Sequence, residues 1–413
     1  MKTETIRNTV LALVGLTGLS IYILACTSFS PDDSKVLYPT LDVPSGGFAI
    51  AVYDREKAGS DLAFLPMMTK DNDTNRLVST PMMRAQWLAD GQRILIACSG
   101  GDDEDDLTLA VKPWNARGPL RLFNLHDIKW DMTRPLCVVE DRVFLMESKQ
   151  QILRLDLKTG EMARHALEAG ESDFGLLPVP NDSGVFYMAK QTNGSGRVFG
   201  RMNPDNFALR PIATITNDIA DSSFFAFDPD GKRCAFMEKA NPAPEVVVVE
   251  DGKLVLNSDV RFRDLPQVVV VEDGKPVFRR VFGTNGVGLT LANAEFSKRG
   301  DSLLAGFQRE HDEQPRVTYG LMEIPLNDQP IREKVLISGD TPPDDAGAFY
   351  FQFGFSHDGK TAAVASTYLA CMKDEDYIKP ADCALFFVDL GDPNWKVTKV
   401  PIPLPAHRPK LDH

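Results

Sequence analysis

The chain has 413 residues, of which 43% are hydrophobic and 25% charged, and its formal net charge is −13. That is enough apolar material for a large core, while so acidic a balance excludes a surface built on clustered Lys and Arg for nucleic-acid phosphates. The 6 cysteines include no Cys-x-x-Cys pair, which leaves a zinc or thioredoxin-like site without support, and no Ser/Gly-rich linker divides the chain.

At the N-terminus, Lys2 and Arg7 flank a short polar start, and Thr9 to Ala25 is an apolar run broken only by Gly, Thr and Ser. Such a run is a signal h-region or a minimal membrane anchor. It ends in Ile23-Leu24-Ala25-Cys26, which resembles a bacterial lipobox. The resemblance implies removal of residues 1–25, lipid attachment at Cys26 and a periplasmic or outer-membrane lipoprotein. An uncleaved inner-membrane anchor stays open, as does ordinary cleavage a few residues further on to give a secreted chain. Export permits disulfides. Cys371 and Cys383 flank a polar segment between two strand patterns and are a candidate bridge across a hairpin. Cys98, Cys137 and Cys234 lie inside apolar strand runs and read as small core residues.

From Phe29 onward a turn motif recurs. Its copies, in chain order, are Phe29-Ser30-Pro31-Asp32-Asp33-Ser34-Lys35, Trp87-Leu88-Ala89-Asp90-Gly91-Gln92-Arg93, Val139-Glu140-Asp141-Arg142, Val179-Pro180-Asn181-Asp182-Ser183-Gly184, Phe227-Asp228-Pro229-Asp230-Gly231-Lys232, Phe296-Ser297-Lys298-Arg299-Gly300-Asp301 and Phe355-Ser356-His357-Asp358-Gly359-Lys360. The aromatic residue ends one strand and packs between sheets, Pro presets φ, and Asp with Gly makes the corner of a bulged hairpin. The Lys or Arg that follows reads as a solvated start of the next strand, which continues as an apolar run such as Val36-Leu37-Tyr38 or Ile94-Leu95-Ile96-Ala97. Repetition of one unit at this scale marks a modular all-β array.

The aromatic-Ser-Pro-Asp-Gly-Lys pattern resembles the WD40-like (PD40) repeat of TolB-type β-propellers, over nearly the whole chain after residue 26. That resemblance implies an all-β fold, a single β-propeller of about seven four-stranded blades over 26–405, with a C-terminal tail at 406–413. The blades are expected at Thr27–Asn75, Met82–Leu125, Pro135–Leu167, Phe174–Thr216, from Ser222, Leu289–Ser338 and Tyr350 to about Pro403; six and eight blades stay open. Blade five is oversized. Val246-Val247-Val248-Val249-Glu250-Asp251-Gly252-Lys253 recurs as Val268-Val269-Val270-Val271-Glu272-Asp273-Gly274-Lys275, and the expected extra hairpin is placed at about 258–285.

Two motifs mimic catalytic ones. Gly354-Phe355-Ser356-His357-Asp358-Gly359-Lys360-Thr361 has the letters of a Walker A loop, but it coincides with the repeat turn and is followed by a strand pattern where a P-loop needs a helix. Gly300-Asp301-Ser302-Leu303 spells a hydrolase nucleophile block, yet no His has Asp three residues before it to activate the serine. The acidic run Asp102-Asp103-Glu104-Asp105-Asp106 offers carboxylates to Ca²⁺ but lacks EF-hand spacing, and adjacent acids of this kind more often form a solvated segment. No cofactor and no metal are expected, with Ca²⁺ as the alternative.

A propeller sets its first-to-second turns on one face. The longer insertions, Ser99–Asp106, Arg309–Arg316 and Met372–Asp382, fall between second and third strands and belong to the other face, where Asp102, Asp105, His311, Asp374 and Glu375 are the candidate partner-binding residues. The expected function is an exported, envelope-anchored, non-catalytic scaffold, monomeric and held to the membrane through its N-terminus, that binds an envelope protein or a glycan. The alternative is a propeller-fold lyase or glycoside hydrolase whose carboxylates face one another across the central channel.

Overall fold

The computed structural model describes residues 27–41, 48–57, 62–66, 83–99, 107–115, 121–129, 136–147, 151–167, 171–179, 184–191, 197–215, 225–239, 248–250, 253–255, 266–272, 275–281, 287–311, 316–327, 329–340, 349–368 and 384–402. Every regular element among them is a β-strand. The strands form seven successive sheets, each with a four-strand antiparallel path, spanning 28–66, 83–125, 137–166, 171–215, 225–281, 287–340 and 349–401. In blade three the short strand Ile128–Lys129 pairs with Met146 and Glu147 and so extends the line of the first strand, Cys137–Val139. The chain is a β-propeller with seven four-stranded blades, with boundaries close to those expected from the repeat.

Among the described residues the buried ones form seven separate clusters, one for each seam between neighbouring blades. Leu37, Ile50 and Val52 of blade one meet Ala85, Trp87 and Ile94 of blade two. Leu95 and Leu109 meet Leu145 and Leu153 across the next seam. Phe144 and Ile152 meet Val185 and Tyr187, and Met188 and Phe199 meet Cys234 and Phe236. Val268 and Val270 meet Leu303 and Phe307, Leu304 and Leu321 meet Val364 and Phe386, and Val36 and Tyr38 meet Ala363 and Ala365. Each inner strand is therefore covered on both faces. Val36 and Tyr38 face blade seven while Leu37 between them faces blade two, which is why these strands read as unbroken apolar runs.

Five turn copies share one geometry. The residue four places after the aromatic has positive φ: Asp33 (58°), Gly91 (63°), Gly231 (67°), Gly300 (69°) and Gly359 (70°). Its amide donates back three residues, as from Gly231 N to Asp228 O (2.9 Å), and the residue after the aromatic donates to the strand beyond, as from Asp228 N to Arg233 O (3.0 Å). Only glycine adopts this φ freely, and Asp33 takes it as a short polar residue can. The turn's carboxylate then caps amides the bend leaves free: Asp90 Oδ1 accepts from Gln92 N (2.8 Å) and Arg93 N (2.9 Å).

Blade five corrects one expectation. Its four strands are Phe225–Phe227, Arg233–Lys239, Pro266–Glu272 and Lys275–Val281, so the second copy of the duplicated run, within the expected insertion at 258–285, is part of the blade. The first copy supplies Val248–Glu250 and Lys253–Val255, a separate two-stranded sheet. The two copies share the strand core, and residues beyond it decide which one the blade takes.

The ring closes without exchange of strands among the described residues, because blade seven is built from its own consecutive strands. Packing and polar contacts join it to blade one. Asp33 accepts the amides of His357 (2.7 Å) and Asp358 (3.0 Å) and lies 3.0 Å from His357 Nδ1. Arg55 donates to Asp33 O (2.9 Å) and Thr361 Oγ1 (3.3 Å) and lies over the rings of Phe29 and Phe387. At the neighbouring seam, a Cβ on Gly306 of blade six would meet the Phe353 ring of blade seven. Gly306→Ala is expected to cost about 1–3 kcal/mol by overpacking, read from the midpoint of a chemical denaturation curve.

Candidate functional site

In an antiparallel meander the first-to-second and third-to-fourth connections emerge at one end of the ring, and the second-to-third connections at the other. The first end is bonded to itself. Arg93 Nε holds Asp90 of its own turn (2.5 Å) while Nη2 reaches Asp141 of blade three (2.5 Å). Arg121 donates to the carbonyls of Leu157 (2.8 Å) and Lys158, again in blade three. Arg154 donates to Pro204 O and Asp205 O of blade four (2.8 Å each), and Arg201 to Asp230 O of blade five (3.1 Å). Arg233 holds its own Asp228 (3.0 Å) and donates to Gly300 O of blade six (2.7 Å), a seam that Arg280 also bridges at Gln329 O (2.9 Å). Arg332 donates to Asp392 O and Pro393 O of blade seven (2.6 Å each).

The recurring partner is a backbone carbonyl of a tight turn; Asp392 O accepts in addition from Trp395 N of its own turn (2.9 Å). A guanidinium suits it because its donors form a planar fork and its face can lie on an aromatic ring. Arg154 stacks on Phe207 (5.3 Å), Arg233 on Phe296 (5.5 Å) and Arg332 on Trp395 (4.6 Å), in each case a ring of the next blade. Blades one and two are joined differently, through Trp87 Nε1 to Ser28 O (3.2 Å) and Lys35 over Trp114 (5.3 Å). The expectation of a solvated basic residue after each turn holds at Lys232, which is exposed, and is corrected for Arg93, whose side chain is only 27% exposed; the next residue after Lys232, Arg233, is likewise half-buried. The role of these two arginines escaped sequence reasoning because the acceptor lies in another blade; the one local signal is an Arg two residues after the turn glycine, in Gly91-Gln92-Arg93 and Gly231-Lys232-Arg233.

The opposite end is where chain length varies. The second-to-third connections run 42–47, 100–106, 148–150, 192–196, 240–265, 312–315 and 369–383. Those of blades five and seven are the long ones, and blade five's carries the extra hairpin. The segment Arg309–Arg316 is not a long insertion: strands Ser302–His311 and Arg316–Pro325 pair up to His311 opposite Arg316. Of the candidate binding residues, His311 sits at that strand end, with its side chain outside the described residues. Asp102, Asp105, Asp374 and Glu375 lie outside the described residues, as do Cys26 and the candidate bridge Cys371 and Cys383. Cys137 and Cys234 are buried free thiols, and burial pushes both thiols up, as suits core residues.

Neither catalytic mimic has the surroundings its chemistry needs. Gly354 and Phe355 are the last two residues of the strand Phe349–Phe355, and Thr361 begins the strand Thr361–Tyr368, so no helix N-terminus faces the turn. Ser302 is buried and donates its hydroxyl to Glu323 Oε1 (2.9 Å), while Glu323 also pairs with Arg332. Among the described residues, no group of three or more His, Cys, Asp or Glu side chains could hold a metal ion.

Two outcomes follow from the bonded end. Arg233→Ala should cost about 1–3 kcal/mol, through loss of a charge-assisted bond and an aromatic contact, and Arg233→Lys should recover little of it because a single ammonium cannot span Asp228 and Gly300; thermal and chemical unfolding of both variants measures this. The hydrogen bond from Ser30, aided by those from Ser34, holds the Asp32 carboxyl down to about 2 from an ordinary 3.8. A folded value below the unfolded one means that this group stabilises fully above about pH 4 and progressively less as the pH falls to about 2. Asp32→Asn should therefore flatten the fall in stability between pH 4 and 2 and lower stability at pH 7, as unfolding curves across that range would show.

No protein-family model matches the chain, and no curated protein matches it either. Among solved structures, the chain is similar to the hydrazine synthase of Kuenenia stuttgartiensis, at 15% identity over 82% of this chain and 91% of that chain, with a TM-score of 0.46. It is similar to the Dos1 propeller at 10% identity over 85% of this chain and 93% of that one, with a TM-score of 0.47. It is also similar to Kluyvelomyces marxianus Hsv2 at 8% identity over 90% and 95%, with a TM-score of 0.46.

Proposed function

We propose that the chain is an exported, envelope-anchored, non-catalytic propeller of the WD40-like TolB type, which binds an envelope protein or a glycan through the end carrying the second-to-third connections. The observation behind this reading is the asymmetry of the two ends. On one, the connections are all short, of two to seven residues, and many are bonded blade to blade. On the other, connection length ranges far more widely, with the long ones at 240–265 and 369–383. Recognition residues concentrate on connections held by a rigid scaffold, where sequence can change at small cost to the core.

Charge narrows the partner. The connection 100–106 contains Asp102, Asp103, Glu104, Asp105 and Asp106, and 369–383 contains Asp374, Glu375, Asp376 and Asp382. A partner presenting basic groups complements them and gains in association rate at low salt. Attachment rests on the lipobox resemblance at Cys26, which would hold the ring at the membrane by its N-terminus.

The test is a pair of baits, the ring from residue 27 onward and the same ring shortened within 100–106, 312–315 and 369–383, both checked for the wild-type melting curve. A protein or glycan held by the first and released by the second supports the binding face. Equal recovery on both baits places the contact elsewhere, and recovery on neither removes the reading. In the full chain, Cys26→Ser should move the protein from the membrane fraction to the soluble one.

A further inference from the structure

Blade five contains two segments written for one place. The strand Arg233–Lys239 pairs with Pro266–Glu272, setting Lys239 opposite Pro266, Met237 opposite Val268, Ala235 opposite Val270 and Arg233 opposite Glu272. The earlier segment Pro244-Glu245-Val246-Val247-Val248-Val249-Glu250-Asp251-Gly252-Lys253-Leu254-Val255 matches Pro266-Gln267-Val268-Val269-Val270-Val271-Glu272-Asp273-Gly274-Lys275-Pro276-Val277, differing only at Glu245/Gln267 and Leu254/Pro276. The earlier copy already forms a hairpin, with Val248 opposite Val255 and Glu250 opposite Lys253, and it stands as a two-stranded sheet of its own. Isolated two-stranded hairpins are marginal in water.

The terms that separate the copies oppose one another. Seating the later copy leaves 240–265 to close between second and third strands, whereas seating the earlier one leaves only 240–243, much like the 312–315 connection of blade six; the shorter closure costs less entropy. The later hairpin also pays for Pro276, since its ladder slips between Val270 and Val271, where Val270 pairs with Phe278 and Val271 with Pro276. Val277, skipped by that slip, is 53% exposed. The earlier hairpin has Leu254 at that position and pairs without a slip. In favour of the later copy, Phe278 packs on the seam with blade six and Arg280 bonds Gln329 O (2.9 Å). The matching residues of the earlier copy are Leu256 and Ser258, the second of which carries no cation for that carbonyl.

We infer that blade five is a two-state element in which the hairpins 244–255 and 266–277 exchange on the edge of Arg233–Lys239. In the structure the later copy is seated and the earlier one stands out. In the exchanged state the earlier copy is the third and fourth strands, and the later one lies in the crossover to blade six. Second-to-third connections and crossovers emerge at the same end of the ring, so exchange changes which hairpin that end presents; at the bonded end it gives up the Arg280 bond to Gln329 O and keeps the Arg233 bond to Gly300 O. The inference stands on blade five alone and does not depend on what the ring binds.

Hydrogen exchange of the full chain, read by mass spectrometry, tests it with proline blocks, since a mid-strand proline removes a ladder bond and excludes that copy. With Val270→Pro, protection of Arg233–Lys239 should persist and protection should rise over 246–250, because the earlier copy takes the place. Val248→Pro should leave Arg233–Lys239 as in the wild type, and the double variant should lose that protection. Protection lost in Val270→Pro as fully as in the double variant overturns the inference. A milder variant covers the case in which Val270→Pro fails to fold: Phe278→Ala should raise protection over 246–250 while lowering it over 268–272. Lower protection over both hairpins in Phe278→Ala overturns the inference equally.

Discussion

A four-stranded sheet with two apolar faces cannot stand alone, and the whole molecule follows from that constraint. Each inner strand here carries large apolar residues at successive positions, so each blade needs a neighbour on both sides. Leu303 and Ala305 belong to the seam with blade five, and Leu304 between them to the seam with blade seven. A row of such sheets would leave two faces bare, and only a closed ring leaves none. The core is consequently a circle of seven small cores, and every blade depends on two of them.

Closure is then the demanding step, because no strand crosses between blade seven and blade one among the described residues. Apolar contact alone would tolerate sliding of one sheet on another, since it is non-directional. Direction comes from the turn end, where Asp33 is set in place by its own positive φ and accepts two amides of the opposite turn. Arg55 adds a second directional contact across the same seam. The seams from blade two to blade seven use the same logic with arginine and turn carbonyls, and the seam between blades one and two uses Trp87 and the Ser28 carbonyl, so packing supplies the attraction and hydrogen bonds set the angle.

What was legible in the sequence was what is local. Phe227-Asp228-Pro229-Asp230-Gly231-Lys232 specifies its turn within a few residues, and the five similar copies fold alike even where Pro is missing, as at Ala89 and Lys298. The arginine contacts were not legible because their acceptors are backbone carbonyls, which carry no sequence signature, and because donor and acceptor belong to different blades, as Arg233 and Gly300 do. Blade five was misassigned for a related reason. The two valine runs are identical, and the residues that favour the later copy, Phe278 and Arg280, do so through contacts with blade six.

The same separation of local and distant terms explains how the ring tolerates so unequal a set of connections at one end. Closing a longer connection adds a cost that grows only with the logarithm of its length, whereas a changed turn at the bonded end would break contacts with the next blade. Gly231 shows the tighter limit: a Cβ there would meet both the Arg201 guanidinium and the Phe186 ring of blade four. Variation is therefore steered to the second-to-third connections by the physics of the opposite end, and an insertion as large as 240–265 can be carried without altering any seam, provided that one hairpin remains to occupy the edge of Arg233–Lys239.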